Sequence, residues 1–471
     1  MPSKVAVLGL DCADPVLVFE MFRPQLPVLN GLMSSGMWGR LRSCDPPITC
    51  PAWMVMVTGT SPGELGIYGF RNRTDYTYAG LGIATSTWIK HETVWDVLSR
   101  HGRDCITFGV PLTFPPKPLR GCQISCFLTP GPDSNFTYPP ELKAEITAAC
   151  GEYVPDVREF RTNDKAALLK RVFDMTDSHT AYARWLLRNK PWDFSMMVEM
   201  GTDRIHHGFW KYFDKQHPRY EFHPELQHCL SDYYRHVDAA LGKVLEEIPD
   251  DAWIAIVSDH GIKRMAGGIA FNEWLIREGY LTLKSRPDKP TPIGKCSIDW
   301  SKTRAWGDGG YYGRLFLNIK GREPEGTIPP EQVEAFKAEL TAKLCALGDD
   351  KGRPIGTKVL RPEQLYEKVN GIAPDLIVYF GDLDWRSVGS VGGPNPRIHT
   401  FENDSGPDDA NHAMDGIFIL STKARMKQGA RGPGEQRGLQ LRSVARTVLK
   451  LQGVEPPASM GGEAFDLRGM A

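Results

Sequence analysis

Short apolar runs alternate along the chain with segments in which apolar residues have helical spacing. The runs at 5–10 (VAVLGL), 194–200 (FSMMVEM) and 253–257 (WIAIV) are typical of strands buried on both faces. Between residues 224 and 248, apolar side chains recur three or four positions apart, which predicts a helix that leads into the third run. Strands alternating with helices indicate an α/β fold with a mostly parallel sheet and helices on both faces.

The pattern changes between about residues 272 and 397, where glycine, proline and charged residues are more frequent. Two strand-like runs lie within this segment, at 314–320 and 375–380. A late apolar run, Gly416–Leu420, is expected to return to the main sheet. We therefore predict a single domain over residues 1–471 that carries an inserted lobe at about 272–397.

The composition is that of an ordinary globular protein. The chain has 471 residues, 41% hydrophobic and 24% charged, enough to bury a large core. Its 56 lysines and arginines nearly balance 57 aspartates and glutamates, so bulk charge does not indicate a nucleic-acid polymer as a partner. The ten cysteines form no CxxC pair, which argues against a disulfide framework or a thiolate zinc site.

The apolar runs also bear on location. All of them are far shorter than the roughly 18 residues that a membrane span needs. The first run ends after six residues at Asp11, and it is shorter than the core of about 7–15 residues in a signal peptide. We expect a cytoplasmic protein with no membrane partner, and the oligomeric state stays open.

Three aspartates follow three of the predicted strands. Asp11 and Asp259 end the first and third strands, and Asp203 follows the second by three residues. In open α/β sheets, ligands bind beyond the carboxyl ends of the strands, so three carboxylates carried there are expected to converge on one site. Each aspartate taken alone is equally typical of a turn or a helix cap.

Histidines near these aspartates favour a metal site. His260 follows the third aspartate directly, and His207 lies four residues after Asp203, so that the two share one face if this segment is helical. His206 would then point elsewhere, as a structural residue. His412, just before the late strand, is the candidate for a further ligand, although a histidine in such a loop is more often at the surface. Mixed carboxylate and imidazole ligands suit zinc or a similar transition metal better than magnesium or calcium.

The segment 44–70, CDPPITCPAWMVMVTGTSPGELGIYGF, contains a candidate nucleophile. Pro51 suits the first position of a helix, which would place Thr49 or Cys50 at the cap. One interpretation of Thr49 is an ordinary capping residue. The other is a hydroxyl activated by a bound cation beside a helix N-terminus that holds a phosphate. Cys50 lacks the C-x-P-x-R setting of a sulfatase-type cysteine, so we favour Thr49.

Five pieces of the chain, in order, resemble the alkaline phosphatase superfamily, most closely its type I phosphodiesterase and nucleotide pyrophosphatase branch. The pieces are VLGLDCADP, PITCPAWMVMVTGTSPGELGIYG, GTDRIHHGFW, VSDHG and DDANHAMDGIFIL. The resemblance implies a three-layer α/β/α catalytic domain that binds two divalent cations, zinc first, with manganese or iron as alternatives. It implies that one cation is held by Asp11, Thr49, Asp259 and His260, and the other by Asp203, His207 and His412.

The resemblance also implies the chemistry. Thr49 would attack phosphorus and form a phospho-threonine intermediate, in hydrolysis of a phosphodiester or nucleotide pyrophosphate bond of a small phosphate ester or nucleotide. The branch usually has an asparagine shortly after the GI that follows the nucleophile helix, whereas here Gly69 and Phe70 stand in that neighbourhood. We predict that Arg71 and Asn72, slightly later, contact the substrate instead.

Three alternatives stay open at this point. They are a phosphomonoesterase, an isomerase related to the cofactor-independent phosphoglycerate mutases, and an inactive member that only binds. The mutases use serine, usually with manganese, and an inactive member is expected to lack ligands that this chain retains. The aromatic-rich pieces HHGFWKYF and GYYGRLF are either core or the lining of a leaving-group pocket.

Overall fold

The computed structural model describes residues 3–393 and 396–470. Its strands are β1 (Val5–Leu10), β2 (Met37–Arg42), β3 (Arg71–Arg73), β4 (Leu81–Ile83), β5 (Cys105–Phe108), β6 (Gly121–Ile124), β7 (Thr137–Tyr138), β8 (Phe194–Glu199), β9 (Trp253–Val257), β10 (Gly261–Arg264), β11 (Gly267–Ala270), β12 (Ala305–Asp308), β13 (Gly313–Leu317), β14 (Lys358–Leu360), β15 (Leu376–Tyr379), β16 (Trp385–Val388), β17 (His399–Thr400), β18 (Ala410–Ala413), β19 (Asp415–Thr422), β20 (Gly434–Glu435) and β21 (Leu439–Gln440). Its α-helices are α1 (Pro27–Ser35), α2 (Thr49–Thr58), α3 (Pro62–Leu65), α4 (Val94–Arg100), α5 (Leu142–Cys150), α6 (Lys165–Asn189), α7 (Gly201–Phe213), α8 (Cys229–Leu245), α9 (Phe271–Arg277), α10 (Val333–Cys345), α11 (Pro362–Leu365), α12 (Lys423–Lys427) and α13 (Val444–Leu451).

A large central sheet organises the fold. Within the described residues it has ten strands, in the order β20-β2-β19-β9-β1-β8-β5-β6-β7, with β21 also beside β2. Strand β1 pairs in parallel with β8 and β9, and β5 pairs in parallel with β8 and β6. Helices α6, α7 and α8 pack against one another, and α13 packs against α2 and α4. The predicted α/β fold with a mostly parallel sheet between helices is confirmed.

The late strand returns to this sheet, as predicted. It is β19, which lies between β9 and β2 and runs antiparallel to both. Its central residues Ile417–Leu420 are fully buried, as in the three apolar runs that became β1, β8 and β9. Burial on both faces explains why these strands are uninterrupted apolar runs rather than alternating patterns.

Two predicted helix boundaries were wrong. Helix α2 begins at Thr49 and is preceded by the extended residue Ile48, so Thr49 lies in the first turn and is not the cap. Pro51 does not prevent the earlier start, because the first N–H groups of a helix have no acceptor within it. Helix α8 covers only Cys229–Leu245 of the predicted 224–248, because turns precede it and follow it.

The segment after α9 builds a sheet of its own. Strands β12, β13, β15 and β14 form a four-stranded antiparallel sheet in that order. The two predicted strand-like runs overlap β13 and β15, although the first extends three residues beyond β13. A second hydrophobic cluster lies on it, with Phe271, Leu315, Phe336 and Leu376 fully buried. The description of residues 272–397 as an inserted lobe stays a prediction.

No helix in the described part of the chain is both long and apolar enough to cross a bilayer.

A buried ion pair fixes the junction of β8 and α7. The carboxylate of Glu199 lies 3.0 Å from Nδ1 of His179 and also accepts the N–H of Gly201 at 2.8 Å. The other ring nitrogen of His179 donates to the carbonyl of Val154 at 2.7 Å. Burial lowers the pKa of His179, but the Glu199 carboxylate outweighs it and the pKa is raised. The pair therefore holds the first residue of α7 in place.

We expect His179→Gln to lower the free energy of unfolding by about 3–5 kcal/mol at pH 6, since it leaves a buried carboxylate without its cation. Because the folded-state pKa of His179 is raised, the stabilisation is complete below its ordinary value of about 6.5 and is lost as the pH rises through the folded-state value. Urea unfolding at pH 6 and pH 9 measures the difference. His236→Gln is the control, because His236 pairs with the exposed Asp177, and such a pair contributes less than about 1 kcal/mol. Equal losses in the two variants would contradict this prediction.

Candidate metal centre

Three parallel strands bring three aspartates to one end of the sheet. Strand pairing places the end of β1 level with the ends of β8 and β9, with Leu10 opposite Glu199 and Gly9 opposite Val257. Asp11 and Asp259 follow two of these strands, and Asp203 lies in the first turn of α7. All three carboxylates are buried, with at most 2% of any residue exposed.

Six of the predicted residues form two groups with metal-ligand geometry. In each group, the ligand atoms lie within 4.8 Å of one another. The first group is Asp11, Asp259 and His260, and the second is Asp203, His207 and His412. We call them the first and second triads. The hydroxyl of Thr49 lies 3.3 Å from Nε2 of His260, so the structure brings all seven predicted residues together.

Local structure explains each placement. Asp203 and His207 are one turn apart on α7, and their Oδ1 and Nε2 atoms are 3.2 Å apart. His260 immediately precedes β10, which pairs antiparallel with β18 and so with His412. The rings of these two histidines stack with centroids 3.8 Å apart, which joins the two triads.

The charges of the site are not balanced by its own side chains. Burial and then Asp203 raise the pKa of Asp11, and burial and then Asp11 raise the pKa of Asp259. Within ion-pair distance among the described residues, these two carboxylates have only His260, whose pKa is lowered to about 4 by burial. Burial also raises the pKa of Asp203, but His207 and Arg204 outweigh it and the pKa is lowered. The first triad therefore requires either a bound cation or protonation of its carboxylates.

Unpaired ligand atoms point to the same requirement. Asp11 Oδ1, Asp259 Oδ2, His207 Nε2 and His412 Nε2 are buried and make no hydrogen bond of normal geometry in residues 3–393 and 396–470, although His207 Nε2 and Asp259 Oδ2 each lie 3.2 Å from another candidate ligand atom. Buried polar atoms are normally paired, and four unpaired ones at one place need an explanation. Carboxylate oxygens with imidazole nitrogens are a donor set that fits zinc and similar divalent metals. The residues present therefore fit a metal centre.

The ring orientation of the histidines also fits metal binding. Nδ1 of His412 lies 2.7 Å from the carbonyl oxygen of Pro47, and Nδ1 of His260 lies 3.1 Å from that of Gly261. A carbonyl oxygen only accepts, so both rings carry hydrogen on Nδ1 and keep the lone pair of Nε2 free for the site.

Asp408 orients the third histidine and is not among the residues predicted from the sequence. Its Oδ1 lies 2.7 Å from Nδ1 of His207, and its Oδ2 binds Arg161 at 3.1 Å and also Arg386. Burial raises the pKa of Asp408, but His207 and Arg386 outweigh it and hold it well below its usual range. The doubled aspartate four residues before His412 was the available signal.

Four further side chains contact the site without having been predicted. Trp53 on α2 donates to Asp11 at 2.6 Å, Arg204 binds Asp203, and the ring of Tyr311 stacks on His412 with centroids 3.8 Å apart. The thiol of Cys12 lies within ligand distance of Asp203 and His260 and donates to the carbonyl of Gly261 at 3.4 Å. Trp53 and Tyr311 reach the site across long sequence separations, which leave no local pattern. Arg204 and Cys12 directly follow Asp203 and Asp11 in the sequence, but neither residue type marks a contact by itself.

The remaining predicted residues lie around the centre. Arg71 is exposed on β3 and lines a cavity beside the site. Asn72 is buried and uses its amide within its own turn, where it bonds the backbone of Tyr68 and Gly69. Because the amide of Asn72 is already bonded, only Arg71 of the two is placed to contact a substrate. His206 lies 3.1 Å from the hydroxyl of Tyr234, and burial lowers its pKa to about 3.

We expect chelation to lower the stability of the protein. A metal present at about 1,000 times its Kd adds roughly 4 kcal/mol to the free energy of unfolding, and thermal melts with and without zinc and chelator measure this. In Asp11→Asn the gain on adding zinc should shrink. The metal-free variant should melt no lower than the metal-free wild type, because a buried, repelling carboxylate has been removed. A full gain in the variant would contradict the role of Asp11.

We expect Asp408→Asn to weaken zinc binding at the second triad by about 10–100-fold, since a neutral amide orients and polarises His207 less well. Competition with a chromophoric chelator measures the affinity. Asp409→Asn is the matched control, because the carboxylate of Asp409 interacts with Lys165 and Lys211 instead. Unchanged affinity in Asp408→Asn would show that Asp408 does not act on the centre.

Comparison with known proteins places this geometry in a family. The model of the type I phosphodiesterase / nucleotide pyrophosphatase family matches residues 5–408. No curated protein matches the sequence significantly. Two solved structures of phosphonoacetate hydrolase from Sinorhizobium meliloti 1021 are similar, in complex with phosphonoformate (TM-score 0.60) and with phosphonoacetate (TM-score 0.61). Each is 14% identical, with 96% of both chains covered, and at that identity the likeness shows the fold alone. The chain belongs to the type I phosphodiesterase / nucleotide pyrophosphatase family, a family of metal-dependent phosphoryl hydrolases.

Proposed function

We propose that the protein hydrolyses phosphodiester bonds, including nucleotide pyrophosphate bonds, through a phospho-threonine intermediate on Thr49. The observation that carries the proposal is the position of the Thr49 hydroxyl. It lies in the first turn of α2, 3.3 Å from Nε2 of His260 and beside two ligand triads that share stacked histidines. A hydroxyl buried among metal ligands is poorly placed to be only a helix residue.

The proposed reaction has two steps, the attack of Thr49 on phosphorus and the hydrolysis of the phospho-threonine. The Thr49 hydroxyl gives its proton to solvent and its oxygen forms a bond to phosphorus, while the bond to the leaving oxygen breaks on the opposite side and that oxygen takes a proton from solvent. Water then attacks the phospho-threonine, which still carries the second ester group, releases the phosphate monoester and restores the hydroxyl. The free N–H groups at the start of α2 favour the phosphate oxygens. Two divalent cations, one in each triad, supply the positive charge that lowers the pKa of the attacking oxygen and stabilises the leaving one.

Several finer points belong to the same proposal. The first cation is held by Asp11, Thr49, Asp259 and His260, and the second by Asp203, His207 and His412. Zinc suits these donors best, and manganese or iron are the alternatives. The substrate is a small phosphate ester or nucleotide, and Arg71 contacts it from the cavity wall. A cytoplasmic location stays a prediction.

We expect Thr49→Ala to lower kcat for a nitrophenyl phosphodiester by at least about a thousandfold while the protein still folds and binds zinc, because the nucleophile is gone. Thr49→Ser keeps a hydroxyl and should retain measurable activity. The assay uses zinc-loaded protein with a nitrophenyl monoester, a simple diester and a nucleoside diester. Mass spectrometry after an acid quench should find a phosphoryl group on Thr49.

The same assay separates the alternatives. Faster turnover of the monoester would favour a phosphomonoesterase. Retained diester turnover in Thr49→Ala would contradict the threonine mechanism. No turnover of any probe, with both cations bound, would favour a mutase-like or purely binding protein.

A further inference from the structure

A large cavity opens beside the metal centre. Its volume is about 1170 Å³. Its walls are formed by residues far apart in sequence, including the β3–β4 region and the segment after α9. Three lining residues touch the centre directly: Arg204 binds Asp203, Tyr311 stacks on His412, and Ile48 immediately precedes Thr49. Typical cavities for drug-sized ligands measure roughly 300–1,000 Å³, so this one has room for much more than the reacting phosphate.

The cavity lining carries an excess of cations, although the chain as a whole has a net charge of −1. Its described lining includes three carboxylates, Asp156, Asp308 and Asp404, and seven cations. The cations are Arg71, Arg73, Arg161, Arg204, Lys295, Arg314 and Arg386.

Three carboxylates behind the wall offset most of this excess and leave a small positive balance. Asp408 serves two of the arginines at once, and Glu323 pairs with Arg73. Asp203, which binds Arg204, is also one of the proposed metal ligands. A cationic surface of this kind, enclosed by protein, concentrates anions.

Several of these cations have side-chain N–H groups that are not hydrogen-bonded to the protein. In the described part of the chain, the side chains of Arg71 and Lys295 have neither a hydrogen bond nor an ion pair. Arg386 is 95% buried, and its Nε has no hydrogen-bond partner among the same residues. Nε of Arg314 is buried and unpartnered in the same way. Those two Nε atoms are enclosed by protein and out of reach of a ligand, so the unpaired donors that face an anion in the cavity are those of Arg71 and Lys295.

We infer that this cavity selects substrates with a second anionic group, a carboxylate or a phosphate, on the part of the molecule beyond the scissile phosphorus. The inference rests on the proposed function for its catalytic consequence. Arg71 is the cation best placed to contact that group, since its side chain is exposed and unpaired. Arg161, Arg204 and Arg386 are instead fixed by the carboxylates that support the metal centre. A guanidinium binds a carboxylate or phosphate through two parallel hydrogen bonds, which a neutral amide on the substrate does not reproduce.

The test compares 4-nitrophenyl phosphodiesters that differ only in the second ester group. One carries 3-carboxyphenyl, one carries 3-phosphonophenyl, and the neutral reference carries 3-carbamoylphenyl of nearly the same shape as the first. With zinc-loaded protein at low ionic strength, we expect kcat/KM for an anionic probe to exceed that of the reference by at least about tenfold. The excess should shrink at high salt. Preference for one anionic probe over the other identifies the anion.

Arg71→Gln should reduce this preference several-fold. Arg468→Gln should leave it unchanged, because that arginine is exposed and lies outside the cavity. Equal kcat/KM for the neutral and anionic probes would overturn the inference, while their hydrolysis would leave the proposed function intact.

A binding measurement keeps the two proposals separate if no probe is hydrolysed. Calorimetry with 3-carboxyphenyl phosphate and 3-carbamoylphenyl phosphate reports affinity without turnover. Tighter binding of the carboxylate, weakened in Arg71→Gln, would support the inference even then. Equal affinities would overturn it.

Discussion

Mutual repulsion among three buried carboxylates is the constraint on which this structure depends. Asp11, Asp203 and Asp259 meet where three parallel strands end, and water is excluded from all of them. In such surroundings, like charges repel far more strongly than at a surface. His207 and Arg204 offset the charge of Asp203 and lower its pKa. Asp11 and Asp259 have no such partner, and their pKa values are raised. Burial of these carboxylates therefore carries a cost, and it falls where the candidate metal ligands gather.

Hydrogen bonds around the carboxylates fix the orientation of the three candidate histidine ligands. Backbone carbonyls of Pro47 and Gly261 orient two rings, and Asp408 orients the third. The rings of Tyr311, His412 and His260 then stack in a column. Tyr311 lies just before β13, a strand of the four-stranded sheet that follows α9. The stacked rings therefore connect that part of the chain to both triads. The geometry of the centre thus depends on packing between the two parts of the chain.

Much of this was predictable from sequence, and the reason differs from residue to residue. Strands β1, β8 and β9 are apolar because they are buried on both faces, and their aspartates had to follow at one edge of the sheet. Asp203 and His207 are a local pair on one helix turn. Recognition of the family and the fold class were confirmed. No local pattern indicates Trp53 or Tyr311, since each reaches the centre by a contact over a long sequence separation. For Asp408 the local signal is only the doubled aspartate before His412, which does not say which histidine it orients. The local pattern also misplaced the start of α2, because a proline is tolerated anywhere in a first turn.

Asp408 has a consequence for how the two halves of the site behave together. One of its oxygens serves His207 of the second triad, and the other serves Arg161 and Arg386 in the cavity wall. The imidazole of His207 and the guanidinium groups of Arg161 and Arg386 therefore share one negative charge. A change in position on either side of Asp408 alters the field that the other side meets. A single carboxylate thus ties the arrangement of the cavity wall to the orientation of a candidate metal ligand.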